Sequence, residues 1–139
     1  MVLIGVITVT AIILPNLLLS EKRAPFEASA VSSLRNLNTA QVEYARAYPD
    51  KGFASSLGEL GPTGYSLISA VLASGKKDGY IFNLMASPSD SGGKVVRYTI
   101  TARPRRYGDD TVRSFFTDES GVLRFTSENR AATAQDPTL

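Results

Sequence analysis

Hydrophobic residues are distributed very unevenly along this chain of 139 residues. Met1 to Leu19 contains no charged side chain, and its large apolar residues and Ala11 are interrupted only by Gly5, Thr8, Thr10, Pro15 and Asn16. Read as a helix rising about 1.5 Å per residue, this run is close to the minimum that crosses a hydrocarbon core about 30 Å thick. Because it is apolar on every side, it lacks the single stripe of a core-facing helix. The pattern predicts a stem helix over residues 1–24, with a break at Pro15, which removes an N–H donor.

Two other interpretations of the apolar run are weaker. A cleaved secretory signal would need a basic region before the run, and the small residues of Ala28-Ser29-Ala30 lie too far beyond it. A buried central helix would need a larger head to surround it. Lys22 and Arg23 by themselves favour a cytoplasmic C-terminal side, which an upstream basic leader would reverse.

A helical period of three to four begins after Pro25, which suits a first helical turn. Pro49 and Gly52 then mark the end of the helix. The period predicts an amphipathic helix over residues 25–48, with Gln41 on its apolar stripe. We expect that stripe to face the head through Val31, Leu34, Leu37, Tyr44 and Tyr48. The two tyrosines are interpreted as aromatic residues at the edge of a core.

Residues 49–77 read as a connecting region, with a helical turn near Leu57 and a short helix that ends at Gly75. The period then changes to two, and residues 78–126 predict strands near 80–84, 95–102, 112–117 and 122–126, joined by short turns. Residues 127–139 predict a loosely held C-terminal tail. The predicted fold class is α+β, a long hydrophobic-then-amphipathic helix packed on a four-stranded antiparallel sheet.

Charge and composition narrow the function classes. The formal net charge is only +2 and the basic residues are spread along the chain, so nucleic acid is not a predicted partner. Arg103, Arg105 and Arg106 form one local cluster, interpreted as a solvated turn rather than an anion site. The chain has no Cys and no His, which excludes disulfides, thiolate nucleophiles, Cys/His zinc sites and imidazole catalysis.

No residue is predicted to be catalytic, and no cofactor is expected. Serines are plentiful, but no activating base can be assigned to any of them. Paired carboxylates occur only in turns, which usually hold solvated residues. A calcium site is the alternative interpretation of these oxygen-rich turns, whose carboxylates are Asp109, Asp110, Asp118 and Glu119.

The order of elements resembles the type IV pilin and type II secretion pseudopilin family. The stem and helix AIILPNLLLSEKRAPFEASAVSSLRNLNTAQVEYARAYP carry most of the likeness, and DGYIFNL, VVRYTITARP and RSFFTDESGVLRF extend it into the head. The resemblance implies that Pro15 matches the family's stem proline, where the helix is often melted in filaments. It also implies a filament core built from Leu3, Ile4, Val6, Ile7, Val9, Ile12, Ile13, Leu14, Leu17 and Leu18.

The front of the stem departs from the family. Members carry a basic leader, a glycine cleavage point and a Phe-Thr-Leu-Ile-Glu-like mature start, and these motifs do not occur here. Aligned on Pro15, Met1 falls several residues inside the usual stem, and no acidic residue precedes Glu21. We expect a missing upstream segment rather than a departure from standard processing.

The functional expectation is a structural subunit of an extracellular type IV pilus-like filament, and not an enzyme. Its partners would be copies of itself, an inner-membrane assembly machinery and, before assembly, the lipid bilayer. It would lie in the inner membrane first and then in a filament at the bacterial cell surface. The alternatives are a pseudopilin of a type II secretion system and a membrane-anchored binding or sensor module that does not polymerise.

Overall fold

The structure is a computed structural model that describes residues 24–87, 92–106 and 113–139. The predicted stem therefore lies outside the described residues, except for Ala24. The proposed filament-core residues from Leu3 to Leu18 and the helix break at Pro15 also lie outside them.

The first described element is α1, a helix of 24 residues from Ala24 to Ala47. Pro25 lies in its first turn, where a missing N–H breaks no intrahelical bond. The helix ends before Pro49, because proline disfavours the helical conformation of the residue that precedes it. Gly52, at φ +76°, then donates its N–H to the carbonyl oxygen of Tyr48 over 3.0 Å and closes the turn.

Two one-turn helices follow in the connecting region, α2 (Leu57–Leu60) and α3 (Ala70–Ala73). Each begins at a serine whose side chain caps it, since Ser56 accepts from the Glu59 N–H and Ser69 from the Leu72 N–H. The helix predicted before Gly75, from the apolar positions Tyr65 to Leu72, is confined to Ala70–Ala73 in the structure. Its first residues instead bond back to α2, through the N–H groups of Leu67 and Ile68 and the carbonyl oxygen of Leu60.

An antiparallel sheet of five strands forms the rest of the head, in the order in which the strands occur along the chain. The longest pairing aligns Tyr80 with Pro104 at one end and Ala86 with Tyr98 at the other. The strands are β1 (Lys76–Lys77), β2 (Tyr80–Ala86), β3 (Tyr98–Pro104), β4 (Ser114–Asp118) and β5 (Arg124–Thr126).

The predicted four-stranded sheet is wrong, because β1 adds a fifth strand. Two lysines are too short a run to show a period of two. Their pairing with β2 follows from the turn Asp78-Gly79, whose φ angles of +48° and +80° suit a tight hairpin.

Within the described residues, the helix is also not hydrophobic-then-amphipathic as predicted. α1 has polar and charged residues from its first turn onward. Across residues 24–87, 92–106 and 113–139, no helix combines the length and the apolar character that a membrane span requires.

The core lies between α1 and one face of the sheet. Alternation along β2 and β3 turns Tyr80, Phe82, Tyr98 and Ile100 toward the helix, as expected for strands with one buried face. These side chains pack in one cluster with Leu34, Leu37, Leu60, Leu72 and Phe115.

Residues 127–139 are held against β5, contrary to the predicted loose tail. The N–H of Phe125 bonds to the carbonyl oxygen of Pro137 over 3.0 Å. The N–H of Leu139 bonds to the carbonyl oxygen of Leu123 over 2.9 Å. Thr138 pairs with Arg124 as a one-residue bridge. The C-terminal residues therefore cover the β5 edge of the sheet, which would otherwise be open.

Candidate functional site

The predicted head-facing stripe of α1 is buried along most of its length. Leu34 and Leu37 have no exposed surface, Tyr44 is 6% exposed, and Val31 is partly buried against the core. Tyr48 differs, with 37% of its surface exposed. It follows the last helical residue and still bonds to the carbonyl oxygen of Tyr44, but its ring packs on Tyr44 and Tyr65 outside the core cluster.

Polar residues of α1 bind the sheet and the connecting region at defined points, which the hydrophobic pattern alone did not reveal. Ser29 donates to Asp78 over 2.6 Å, and Lys77 donates to Ser33 over 3.1 Å. Further along the helix, the Asn38 amide accepts from the Tyr98 hydroxyl over 2.8 Å and donates to Thr117 over 2.9 Å.

The spacing of residues along α1 predicts which side of the helix carries some of these polar groups. Ser29, Ser33, Leu37 and Gln41 are spaced four residues apart, so they share one side of the helix with the apolar stripe. A short polar residue on such a side requires a partner when it is buried. The identity of each partner could not be read from that spacing.

The first turns of α1 are joined to the start of β4 by an ion pair. Glu27 Oε2 accepts from both the Nε of Arg113, at 2.9 Å, and its backbone N–H, at 3.0 Å. The guanidinium also lies over the rings of Phe115 and Phe125, 5.4 and 5.0 Å from their centroids. Because the pair is only partly exposed and Arg113 makes several contacts, it orients the helix on the sheet more firmly than a surface pair.

A tyrosine cluster lies at the other end of α1. The rings of Tyr44 and Tyr48 are 4.9 Å apart between centroids, and Tyr65 packs edge-on against Tyr48 at 5.5 Å. Tyr65 is 43% exposed, whereas Tyr44 is buried and donates its hydroxyl proton to Glu59 over 3.1 Å. The interpretation of Tyr44 as a residue at the core edge agrees with this placement, while Tyr48 and Tyr65 present aromatic surface to solvent.

The pKa shifts in this cluster keep Glu59 ionised and Tyr44 neutral. Burial alone would raise the pKa of Glu59, but hydrogen bonds from Ser55 and Tyr44 outweigh it and hold the pKa below its usual range. Burial, followed by the hydrogen bond to Glu59, raises the pKa of Tyr44. Neither shift brings the pKa of Glu59 or Tyr44 toward neutral pH, where a general acid or base acts.

The structure describes only two of the four carboxylates of the predicted calcium alternative. Asp109 and Asp110 lie outside the described residues. Asp118 accepts from the N–H and the hydroxyl of Ser120, which is the bonding of an ordinary turn, and Glu119 is exposed beside it. No group of three or more metal-ligating side chains occurs in the part of the chain that the structure describes.

Basic residues gather around the first turn of α1. Phe26 shares a cavity of about 330 Å³ with Arg105 and Arg106 at the end of β3, and the cavity is completed mainly by Asp78, Tyr80 and Pro104. The backbone N–H of Arg105 bonds to the carbonyl oxygen of Gly79 over 2.8 Å, which joins the end of β3 to the β1–β2 turn.

Comparison of the chain with protein-family models, with curated proteins and with solved structures finds no match.

Proposed function

We propose that this chain is a structural, non-enzymatic subunit of an extracellular type IV pilus-like filament, which polymerises through its apolar N-terminal segment. The uncharged run from Met1 to Leu19 carries the proposal. A segment so apolar is stable in lipid or against other apolar segments, and unstable in water. Transfer from a bilayer into a bundle of such segments keeps it dry, so assembly has a small hydrophobic cost.

The attachment of α1 to the head supports this role. A filament transmits force between its core and its surface, which requires a firm connection between the two. Core packing, the Glu27–Arg113 ion pair and the buried amide of Gln41 bind the helix along its length to the sheet and the connecting region.

The solvent face of α1 also suits contact with neighbouring subunits. Phe26 and Val42 are 49% and 50% exposed, and the small residues Ala28, Ser32 and Thr39 lie between them. The exposed charges on this face are Arg35 and the Glu43–Arg46 pair, so the approach of another subunit would have to leave these groups solvated or pair them. The partners in this proposal are copies of the chain, an inner-membrane assembly machinery and the bilayer that holds the subunit before it joins the surface filament.

Replacement of Val9 or Ile12 by Asp tests the proposal. We expect either substitution to abolish filaments in sheared surface material, because the carboxylate would be buried among apolar segments. Negative-stain microscopy with mass spectrometry of the filaments provides the measurement. Val9→Leu is the matched control and should assemble.

Normal polymerisation of Val9→Asp would show that the segment is not the filament core. Wild-type chain found only in the membrane fraction, with no filament that contains it, would favour the membrane-anchored module instead.

A further inference from the structure

Three neighbouring arginines, the arginine cluster of Arg103, Arg105 and Arg106, are exposed at the end of β3. Among residues 24–87, 92–106 and 113–139, no carboxylate forms an ion pair with any of them. Elsewhere in those residues Arg46, Arg113 and Arg130 each pair with a carboxylate, whereas Arg35, Arg97 and Arg124 do not. The three arginines at the end of β3 differ from these in lying next to one another. The cluster thus offers guanidinium groups to an anion from outside the head.

The cluster lies where the chain leads toward the apolar segment. Arg105 and Arg106 line one cavity with Phe26, which belongs to the first turn of α1. Only residues 20–23 separate that helix from the uncharged run. If the run is in a bilayer, this end of the head is therefore the part that meets the lipid headgroups.

The charge of this end is positive. Besides the cluster, it carries Lys76 and Lys77 of β1, Asp78 and the Glu27–Arg113 pair. Glu128, Arg130 and Asp136 follow Thr126 of β5 at the same end and together add one negative charge. Asp109 and Asp110, in the chain between Arg106 and Arg113 and outside the described residues, would lower the charge without reversing it. At the opposite end of α1, acidic side chains outnumber basic ones; they are Glu43, Asp50, Glu59, Asp118 and Glu119, against Arg46, Lys51, Lys94 and Arg97.

We propose that the arginine cluster docks the head on an anionic bilayer surface before the subunit joins a filament. The proposal rests on the proposed function, in which residues 1–19 enter the bilayer. Guanidinium groups bind phosphate oxygens through bidentate hydrogen bonds. Basic residues near a membrane surface are also attracted to anionic lipids. Phe26, an exposed aromatic ring beside the cluster, lies at the level where aromatic residues favour the membrane interface.

A single tryptophan can report on this docking, because the chain contains none. The full chain with Phe26→Trp is placed in vesicles of brominated phosphatidylcholine, with or without brominated phosphatidylglycerol. We expect stronger quenching of Trp fluorescence when phosphatidylglycerol is present, and loss of that difference in high salt. Arg103→Gln, Arg105→Gln and Arg106→Gln together should remove most of the difference at low salt, with Lys76 and Lys77 left to give the remainder.

The matched control makes the same change of charge at the opposite end, through Arg46→Gln, Lys51→Gln and Arg97→Gln. It should keep the dependence on phosphatidylglycerol, and circular dichroism checks that every variant is folded. Equal quenching in the two kinds of vesicle, or the same loss in the control, would overturn the proposal. So would a triple variant that keeps the lipid dependence but fails to polymerise, because the arginines would then contact a neighbouring subunit.

Flotation with vesicles of phosphatidylcholine alone tests the anchoring segment separately. The wild-type chain and the arginine variant should both float, since insertion of the apolar segment does not need the arginines. A chain that stays unbound to neutral vesicles but shows quenching with phosphatidylglycerol would refute the anchor and leave the docking intact.

Discussion

Gln41 is a fully buried amide within the apolar stripe of α1. Its Nε2 donates to the carbonyl oxygen of Ala54 over 3.0 Å, and its Oε1 accepts from the Ala54 N–H over 2.7 Å. The side chain thus satisfies both backbone groups of a buried residue that has no strand partner. It attaches the connecting region to the helix.

Replacement of Gln41 by Met should therefore destabilise the head by about 2 kcal/mol or more, because two buried backbone groups lose their partners while volume is kept. Denaturant unfolding of the full chain in nonionic detergent, followed by circular dichroism, measures the change. Val42→Met on the exposed side of the same turn should stay within about 0.5 kcal/mol of wild type. Equal effects of the two substitutions would show that the Gln41 bonds contribute nothing.

Asp136 binds two other residues of the C-terminal segment, Arg130 and Thr133. Its carboxylate accepts two hydrogen bonds from Arg130, at 2.7 and 2.9 Å, and one from the Thr133 N–H at 2.7 Å. The Arg130 hydrogen bonds, with that of Thr133, hold the pKa of Asp136 well below its usual range. The ionised form is therefore favoured by folding.

This lowered pKa predicts the direction of a pH effect. The stabilisation is fully present above the pKa of an unfolded aspartate and is lost as the pH falls toward the lower folded value. The unfolding midpoint of the wild type should thus exceed that of Asp136→Asn at neutral pH, and the two should converge in acid. Glu119→Gln, in an exposed turn, controls for the loss of one negative charge. A difference between wild type and Asp136→Asn that is constant down to pH 2 would contradict this mechanism.

At the scale of elements, two glycines hold turns for different reasons. Gly52 and Gly79 both have positive φ angles, +76° and +80°. A Cβ on Gly79 would have nothing within 4 Å, whereas one on Gly52 would lie 2.1 Å from the carbonyl oxygen of Val95. Gly52 therefore permits the close pairing of the α1–α2 connection with residue 95, whereas at Gly79 glycine is needed only for the positive φ of the hairpin turn.

Gly79→Ala should cost about 1 kcal/mol, the strain of a left-handed alanine. Gly52→Ala should cost about 3 kcal/mol, because the clash with Val95 adds to similar strain. The difference between their unfolding free energies, measured under one set of conditions, isolates the clash. Similar losses would mean that the backbone near Val95 yields without cost.

The elements differ in how far the chain itself specifies them. The helical period placed Leu34, Leu37 and Tyr44 on one side of α1, and alternation separated the two faces of β2. The strand β1 was not predicted, because a run of two residues is too short to show a period of two. The helix before Gly75 is shorter than predicted because Leu67 and Ile68 bond to Leu60 of α2. Local helix propensity cannot predict such a tertiary contact.

On the scale of the whole molecule, the head and the apolar segment are expected to be independent. The described core joins α1, the short helices and the sheet, and the first ion pair between α1 and the sheet is at Glu27. A charge placed at position 9 should accordingly stop assembly without unfolding the head.

Denaturation of Val9→Asp and Val9→Leu tests this independence. We expect both variants, in detergent, to unfold within about 0.5 kcal/mol of the wild type. A large loss of stability in Val9→Asp would mean that the segment supports the head, and its failure to assemble could then not be assigned to the filament core.

The sequence by itself determined the apolar run, the stripe of α1 and the absence of thiol and imidazole chemistry, because composition and local period are properties of the chain. Only the tertiary structure decided which polar groups meet. Glu27 and Arg113 are 86 positions apart, and Gln41 and Ala54 are 13 apart. Such pairs depend on how α1 lies across the sheet, since a buried polar group takes whichever partner the packing brings within hydrogen-bond distance.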